Sequence, residues 1–414
     1  MTSSLIRRAL SISTIFALLL CLTGGLSRSA FAQARRVPPT TNQKKNKRPA
    51  EGQQGEKQEE EIPKDIVGKP QDAETISVTT QLVNVDAVVY NKKTGQIMTG
   101  LKKENFAVFE DGVQKEITNF STPDAPMTVA MVVEYSKLSE ALGYYGSGGL
   151  DNGTDEVIRP VAMFLSQFVK PPQDYVSVIA YDIRPTPLTD FTNDPSRINQ
   201  VINLLLRNRP AFRETNLFDA LKFVLVGGRG DAVVLDNAKE AKTDYAGLSS
   251  VKGRRTALIL VASGIDTFSK INYGQARKIV QNAGVPIYII GTGEMFYKRN
   301  ESQLDAVDSL TGFPGRMTFL QAKNTLNTFA KETGGAYYPV TFPGELPKVL
   351  GNINAFLRNQ YSLGYNPGES ARDGKQHKLV VKVDVNGDGQ YDDKEFIVQA
   401  RPFYNAQGAT ENKK

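Results

Sequence analysis

The chain has 414 residues, 50 Lys and Arg against 44 Asp and Glu, a net charge of +6 and 40% hydrophobic residues. That length is too great for one small core and predicts two or three folded units. A single cysteine, Cys21, excludes an internal disulfide framework, and Arg7, Arg8, Arg35, Arg36, Lys44, Lys45, Lys47 and Arg48 confine much of the basic excess to the N-terminal part, which argues against a nucleic-acid partner.

Residues 1–32 read as a secretory signal. Arg7 and Arg8 precede an apolar run from Ala9 to Leu22, and Ala30-Phe31-Ala32 is a small-x-small cleavage site. The run is short for a membrane span, so the membrane is expected to be met only through this signal, before cleavage. The mature chain would be exported to the periplasm, the cell surface or the medium. Residues 33–72 are rich in Pro, Gln, Lys and Glu and poor in apolar side chains, which predicts a disordered linker.

Residues 73–125 carry a β pattern. Ile76 to Tyr90 alternates in part, and Phe106 to Phe109 runs into Glu110-Asp111-Gly112, an Asp-Gly hairpin signal with Val113 to Ser121 as the return strand.

The pattern changes after Met127. Thr128 to Val133 is apolar and β-branched without alternation, as expected of a strand buried on both faces. Further strands are predicted at Tyr175 to Tyr181, Thr256 to Ala262, Pro286 to Gly291 and Ala336 to Val340. Helices are predicted at Asp155 to Val169, Pro195 to Asn208, Leu217 to Val226, Tyr273 to Ala283, Lys323 to Thr333 and Glu345 to Asn359. Asp194 and Pro195 form an N-cap and N1 pair. This alternation over 126–359 predicts a doubly wound, mostly parallel sheet.

The segment 360–404 returns to β at Gln360 to Tyr365, Lys378 to Val385 and Glu395 to Arg401, ahead of a tail at 405–414. Neither flank has strands enough for its own sandwich. Together they supply about seven, the usual number for an immunoglobulin-like sandwich. The expected architecture is an α/β domain inserted in a β-sandwich made by both flanks.

Four stretches carry a family resemblance: MTVAMVVEYSKLS from Met127 to Ser139, TNLFDAL from Thr215 to Leu221, Leu258 to Asp266, and AKETGGAY from Ala330 to Tyr337. They resemble a von Willebrand factor type A (VWA) domain, and Gly100 to Phe120 resembles the segment that precedes that domain in VWFA-related proteins of Acidobacteria. The resemblance implies a Rossmann-like sheet and a metal loop of the form Asp-x-Ser-x-Ser. Carried over, the metal positions are Glu134, Ser136, Leu138, Thr215 and Ser263. Glu134 keeps the charge on a longer side chain. Leu138 cannot coordinate, Ser263 replaces an Asp, and Lys137 adds positive charge. Magnesium wants tight octahedral oxygen geometry, so it is not expected here unless Ser139 swings in for Leu138.

A second candidate needs no resemblance. Asp384 to Glu395 fits a twelve-residue calcium loop, with Asp384, Asn386, Asp388, Asp392 and Glu395 at the side-chain positions, Gln390 offering its carbonyl, and Gly389 at the sharp turn. Its strand-like flanks and Tyr391 depart from that pattern, and an Asx-rich hairpin turn is the competing reading. Calcium is the cofactor expected. Tyr144 and Tyr145, in a Gly-rich loop after Glu134, are candidates for a partner-binding rim. Arg229-Gly230-Asp231 spells an integrin-recognition tripeptide too short to count.

No enzyme is expected. His377 is the only histidine and is expected to be exposed, and neither a nucleophile elbow nor a phosphate loop is present. No small-molecule substrate is expected. The reading is an exported, non-catalytic protein-binding module with an unknown protein ligand. A metal-dependent adhesin and a structural envelope scaffold are the alternatives.

Overall fold

The computed structural model describes residues 82–407 except 124, 144–152, 171, 235–238 and 311. The signal, the linker, Tyr144, Tyr145 and the residues beyond 407 lie outside the described residues.

The centre is a six-stranded sheet. Its strands are β5 (Met127–Glu134), β6 (Tyr175–Tyr181), β7 (Pro185–Thr192), β10 (Arg255–Ala262), β11 (Ile287–Gly291) and β12 (Tyr337–Pro339), in the order β12-β11-β10-β5-β6-β7. All neighbours pair parallel except β7, which runs antiparallel to β6 at the edge. Sequence reading missed β7. Pro185 and Pro187 hide the strand pattern, yet prolines are tolerated where one strand side has no ladder.

All eight residues of β5 are buried because helices cover both faces. Val129, Met131 and Val133 pack with α2 (Gly153–Phe168), α3 (Pro195–Arg207) and α8 (Leu346–Arg358). Ala130 and Val132 pack with α4 (Leu217–Val226), α5 (Tyr273–Ala283) and α7 (Arg316–Thr333). Each buried Val or Met side chain here contributes about 1.5–3 kcal/mol. Local signals set the helix ends. Asp194 accepts from the Ser196 amide at 2.8 Å with Pro195 next, and Asn272 and Gln275 form a reciprocal capping box. Helix α7 begins seven residues before the predicted Lys323, and ends at Gly334 in the left-handed conformation. The short helices α1 (Lys137–Ala141) and α6 (Gly293–Asn300), and the hairpin of β8 (Gly228–Val234) with β9 (Lys239–Tyr245), were not predicted. Gly230 sits within β8, where an added Cβ would meet Phe223 at 2.7 Å, so the Arg-Gly-Asp tripeptide is not a loop tip.

The two flanks pair with each other. One sheet has the order β15-β1-β13-β4, from β1 (Val83–Asn91), β4 (Ile117–Ser121), β13 (Tyr361–Tyr365) and β15 (Phe396–Ala400). The other has the order β16-β14-β2-β3, from β2 (Phe106–Glu110), β3 (Val113–Lys115), β14 (Gln376–Val383) and β16 (Phe403–Asn405). Every pairing is antiparallel, and β1 with β13 and β2 with β14 join segments on opposite sides of the α/β domain. Val85, Val89, Phe106, Val108, Tyr361, Leu363 and Leu379 fill the shared core. The predicted return strand Val113 to Ser121 divides at Glu116. Asp111 and Gly112, with φ of 48° and 86°, turn β3 back onto β2, and Ile117 then carries the chain into the other sheet.

Arg255, at the start of β10, holds the two crossings between the sandwich and the α/β domain. Its guanidinium donates to the carbonyls of Pro123 (2.6 Å) and Ala125 (2.7 Å) on one crossing, and of Leu357 (3.2 Å) and Gln360 (2.9 Å) on the other. It is 5% exposed, so these charge-assisted bonds form out of water.

Candidate functional site

The strand order reverses between β5 and β10, and the loops beyond their C-terminal ends meet there, where open α/β sheets place ligand sites. Glu134 ends β5, Ser136 follows it, Ser263 follows β10, and Thr215 precedes α4. All four are buried.

The structure brings Glu134, Ser136 and Ser263 together and occupies them. Glu134 Oε2 accepts from the Ser263 amide at 2.6 Å and from Tyr181 Oη at 3.4 Å, and Oε1 accepts from Ser136 Oγ at 3.2 Å. Thr215 Oγ1 donates to the Ile265 carbonyl at 2.6 Å. Ser136 caps α1, accepting from the Ser139 amide at 3.0 Å, while Ser139 Oγ turns back to the Ser136 carbonyl at 2.8 Å. Ser139 therefore does not stand in for Leu138. Leu138 joins Leu142, Ile265, Tyr297, Phe319 and Ala322 in a small apolar cluster. The Lys137 side chain is exposed.

These residues do not fit a divalent ion. The lone carboxylate is surrounded by donors, and the void beside it, lined by Glu134, Ser139, Leu142, Thr292 and Met295 among others, is about 10 Å³. That is at most the room for one water, and magnesium usually keeps several. Among the described residues no three acidic, His or Cys side chains converge as a metal site. Burial pushes the Glu134 carboxyl above its usual range, against the pull of its Ser263, Ser136 and Tyr181 donors. Burial likewise raises the Tyr181 phenol, reinforced by Glu134.

The loop from Asp384 to Glu395 is wrapped around Asp384. Its Oδ1 accepts from the amides of Gly387 (2.7 Å) and Asp388 (3.2 Å), and Oδ2 from Gly389 (2.8 Å). Gly387 and Gly389 take φ of 75° and 84°, which lets the chain turn this tightly. Asp392 Oδ2 accepts from the Val385 amide, Asp388 Oδ1 from the Gln390 amide, and Asn386 Nδ2 donates to Asp388 Oδ2. Glu395, the twelfth position, accepts from Asn91 Nδ2 at 3.2 Å instead of facing the loop centre. As folded, Asp384, Asn386, Asp388 and Asp392 make an Asx-turn network with the loop amides, and the six predicted ligands do not converge on one point; calcium is carried by their spacing alone.

His377 is a correction. It was expected to be exposed, but it is 6% exposed. Nδ1 lies 2.8 Å from Asp111 and Nε2 3.0 Å from Asp373, and the ring stacks on Tyr404 with centroids 5.2 Å apart. The strand register of β14 against β2 and β16 brings these groups together, which charge composition could not reveal. Burial disfavours its protonation, and the two carboxylates more than offset that, so its pKa is raised.

Sequence reading missed a cleft at the end of β10. Phe218, Gly264, Ile265, Asp266, Tyr273, Thr318, Gln321, Ala322, Asn324 and Thr325 line an open volume of about 370 Å³. Asp266 is fixed by Ser269 Oγ and by the Phe218 amide at 3.3 Å. Tyr273 lies flat on Phe329, 5.7 Å away at 13°. The available signal was Ser263-Gly264-Ile265-Asp266, with its carboxylate three residues past the expected metal position. Two exposed phenylalanines lie on loops bonded to the neighbourhood of Glu134 and Thr215. The Lys137 amide donates to the Phe212 carbonyl at 2.7 Å, and the Phe268 amide donates to the Thr215 carbonyl at 2.9 Å. Phe212 is 45% exposed and Phe268 55%.

No family model matches this sequence, and no curated protein matches it. Solved structures similar to it include proximal thread matrix protein 1 from the mussel byssus, at 12% identity over 59% of this chain and 49% of that one, with a TM-score of 0.37. This chain thus spans about half the length of the mussel protein. An aerotolerance-related membrane protein from Bacteroides fragilis is 14% identical over 56% of this chain and 98% of its own, with a TM-score of 0.36. The vWF domain of the type V pili tip protein Mfa5 from Porphyromonas gingivalis is 14% identical over 57% and 95%, with a TM-score of 0.33. The mixed α/β fold with its mostly parallel sheet is read from the strand order and register of this chain.

Proposed function

We propose that this protein is an exported, non-catalytic protein-binding module: a VWA-type domain with a closed, degenerate metal site, set in an immunoglobulin-like sandwich. One observation carries the reading. Phe212 and Phe268 are exposed on loops hydrogen-bonded to the Lys137 and Thr215 segments. Exposed aromatic side chains on loops beside a ligand-type sheet edge are the composition of a protein-contact core. The proposal includes export through residues 1–32 and calcium at Asp384 to Glu395, both carried by sequence. Among the described residues no helix is long and apolar enough to cross a membrane. The only histidine is held between two carboxylates and a tyrosine ring, which suits a structural role better than a catalytic one.

A photo-crosslinking residue at position 268, compared with one at Val113 on the sandwich, tests this in the producing cells. The reading expects discrete crosslinked partners from position 268 and none from 113, unchanged by a magnesium chelator. Equal labelling from both positions contradicts it. Loss of labelling on chelation favours the metal-dependent adhesin.

A further inference from the structure

The cleft beyond β10 is acidic at its base and aromatic along one wall. Asp266 sits at the end of the Ser263-to-Asp266 run, partly buried, held in place by the Phe218 amide and Ser269 Oγ. A second carboxylate, Asp219, bears on it electrostatically. Asp219 itself is fixed by the Lys270 and Ile271 amides at 2.9 and 3.3 Å. Lys323, the lysine beside the α7 wall, is turned to Glu294 at 3.2 Å.

We propose that this cleft binds a basic side chain, an arginine or lysine presented by a protein partner, with its cationic head at Asp266 and its stem along Tyr273 and Phe218. The inference rests on the protein-binding reading above and names the chemistry of the partner.

Three observations carry it. The Asp266 carboxylate, in a partly dehydrated cleft, repels an anion and attracts a cation more strongly than it would in water. The Tyr273 ring is backed by Phe329 and 36% exposed, so a guanidinium or ammonium can lie on its outer face without ordering the ring first. Thr318, Gln321, Asn324 and Thr325 supply neutral acceptors for the remaining N–H groups, and about 370 Å³ falls within the range of roughly 300–1,000 Å³ typical of ligand sites.

The test uses the full chain with labelled Ile and Ala methyl groups, because Ile265 and Ala322 line the cleft. The probes are Nα-acetyl-arginine amide, its neutral isostere Nα-acetyl-citrulline amide, and N-acetylglucosamine. The expected result is saturable movement of the Ile265 and Ala322 methyl signals with the arginine probe, with affinity about tenfold weaker or worse for citrulline. The response disappears in Asp266→Asn and persists in Asp244→Asn, whose side chain is 90% exposed. If Asp266→Asn misfolds, judged by its other methyl signals, Tyr273→Ala takes its place and is expected to weaken the arginine response. Equal response to citrulline, response to the sugar alone, or no response at these methyls overturns the proposal. Position-specific crosslinking at 268 with no arginine response means that the module binds a partner of other chemistry; absence of both overturns the protein-binding reading as well.

Discussion

The Ser263 amide and the Glu134 carboxylate are joined at 2.6 Å across the point where the sheet reverses its order. The bond ties β10 to β5 at the place where the family resemblance implies a metal ion. Glu134 reaches there because its extra methylene carries the carboxylate beyond the end of β5 to the Ser263 amide.

Glu134→Ala should therefore be a stability variant. It strands the Ser263 amide and the Ser136 and Tyr181 hydroxyls in a buried site, at a cost of about 3 kcal/mol or more. Denaturant unfolding checks this, and the loss should be the same with magnesium or with chelator. A loss seen only with magnesium present would mean that the ion holds the site.

How much of this was legible in the sequence differs by level. The β5 run, the helices at Leu217 and Tyr273, and the Asp194-Pro195 cap were readable because burial period and caps are local. Sheet switching at Glu116 was not, because it depends on which sheet needs a fourth strand. Glu134, Ser136 and Ser263 were identified as neighbours by resemblance, but their mutual bonding was not, since it follows from side-chain length at a point set by two distant strands. His377 was misjudged because its carboxylate partners, Asp111 and Asp373, meet only through strand register.

Replacing His377 by Gln should change stability in a pH-dependent way. A raised histidine pKa means that the ion-pair stabilisation is fully present below the unfolded value near 6.5 and is lost as pH rises through the folded value. The Asp111 and Asp373 pKa values are lowered, chiefly by hydrogen bonds to His377, so at the acid end the stabilisation is lost as pH falls below 3.8 toward their folded values. The difference in melting temperature between wild type and His377→Gln should thus be greatest between about pH 4 and 6.5 and shrink on either side. A flat difference from pH 4 to 9 would remove the ion pairs from the account.

Asp384→Ala removes the acceptor for three loop amides and should cost about 2 kcal/mol in the absence of calcium. Calcium binding at the loop adds a further expectation. Millimolar calcium should raise the melting temperature of the wild type and not that of Asp388→Ala. An unchanged wild-type value dismisses calcium and leaves the hydrogen-bonded turn.

Arg255→Met should loosen the two crossings together. Four carbonyls lose a buried cationic donor, and a loss of about 3 kcal/mol or more is expected. Limited proteolysis should then cut near Pro123 and near Gln360 faster than in the wild type. Acceleration at one crossing only would show that Arg255 does not couple them.

The most direct test of the closed site is magnesium titration by calorimetry on the full chain, beside Glu134→Gln, which keeps the side-chain size. The account predicts no saturable magnesium heat in either protein, because Glu134 is already committed to Ser263, Ser136 and Tyr181. One equivalent of magnesium bound by the wild type and lost in Glu134→Gln would contradict it.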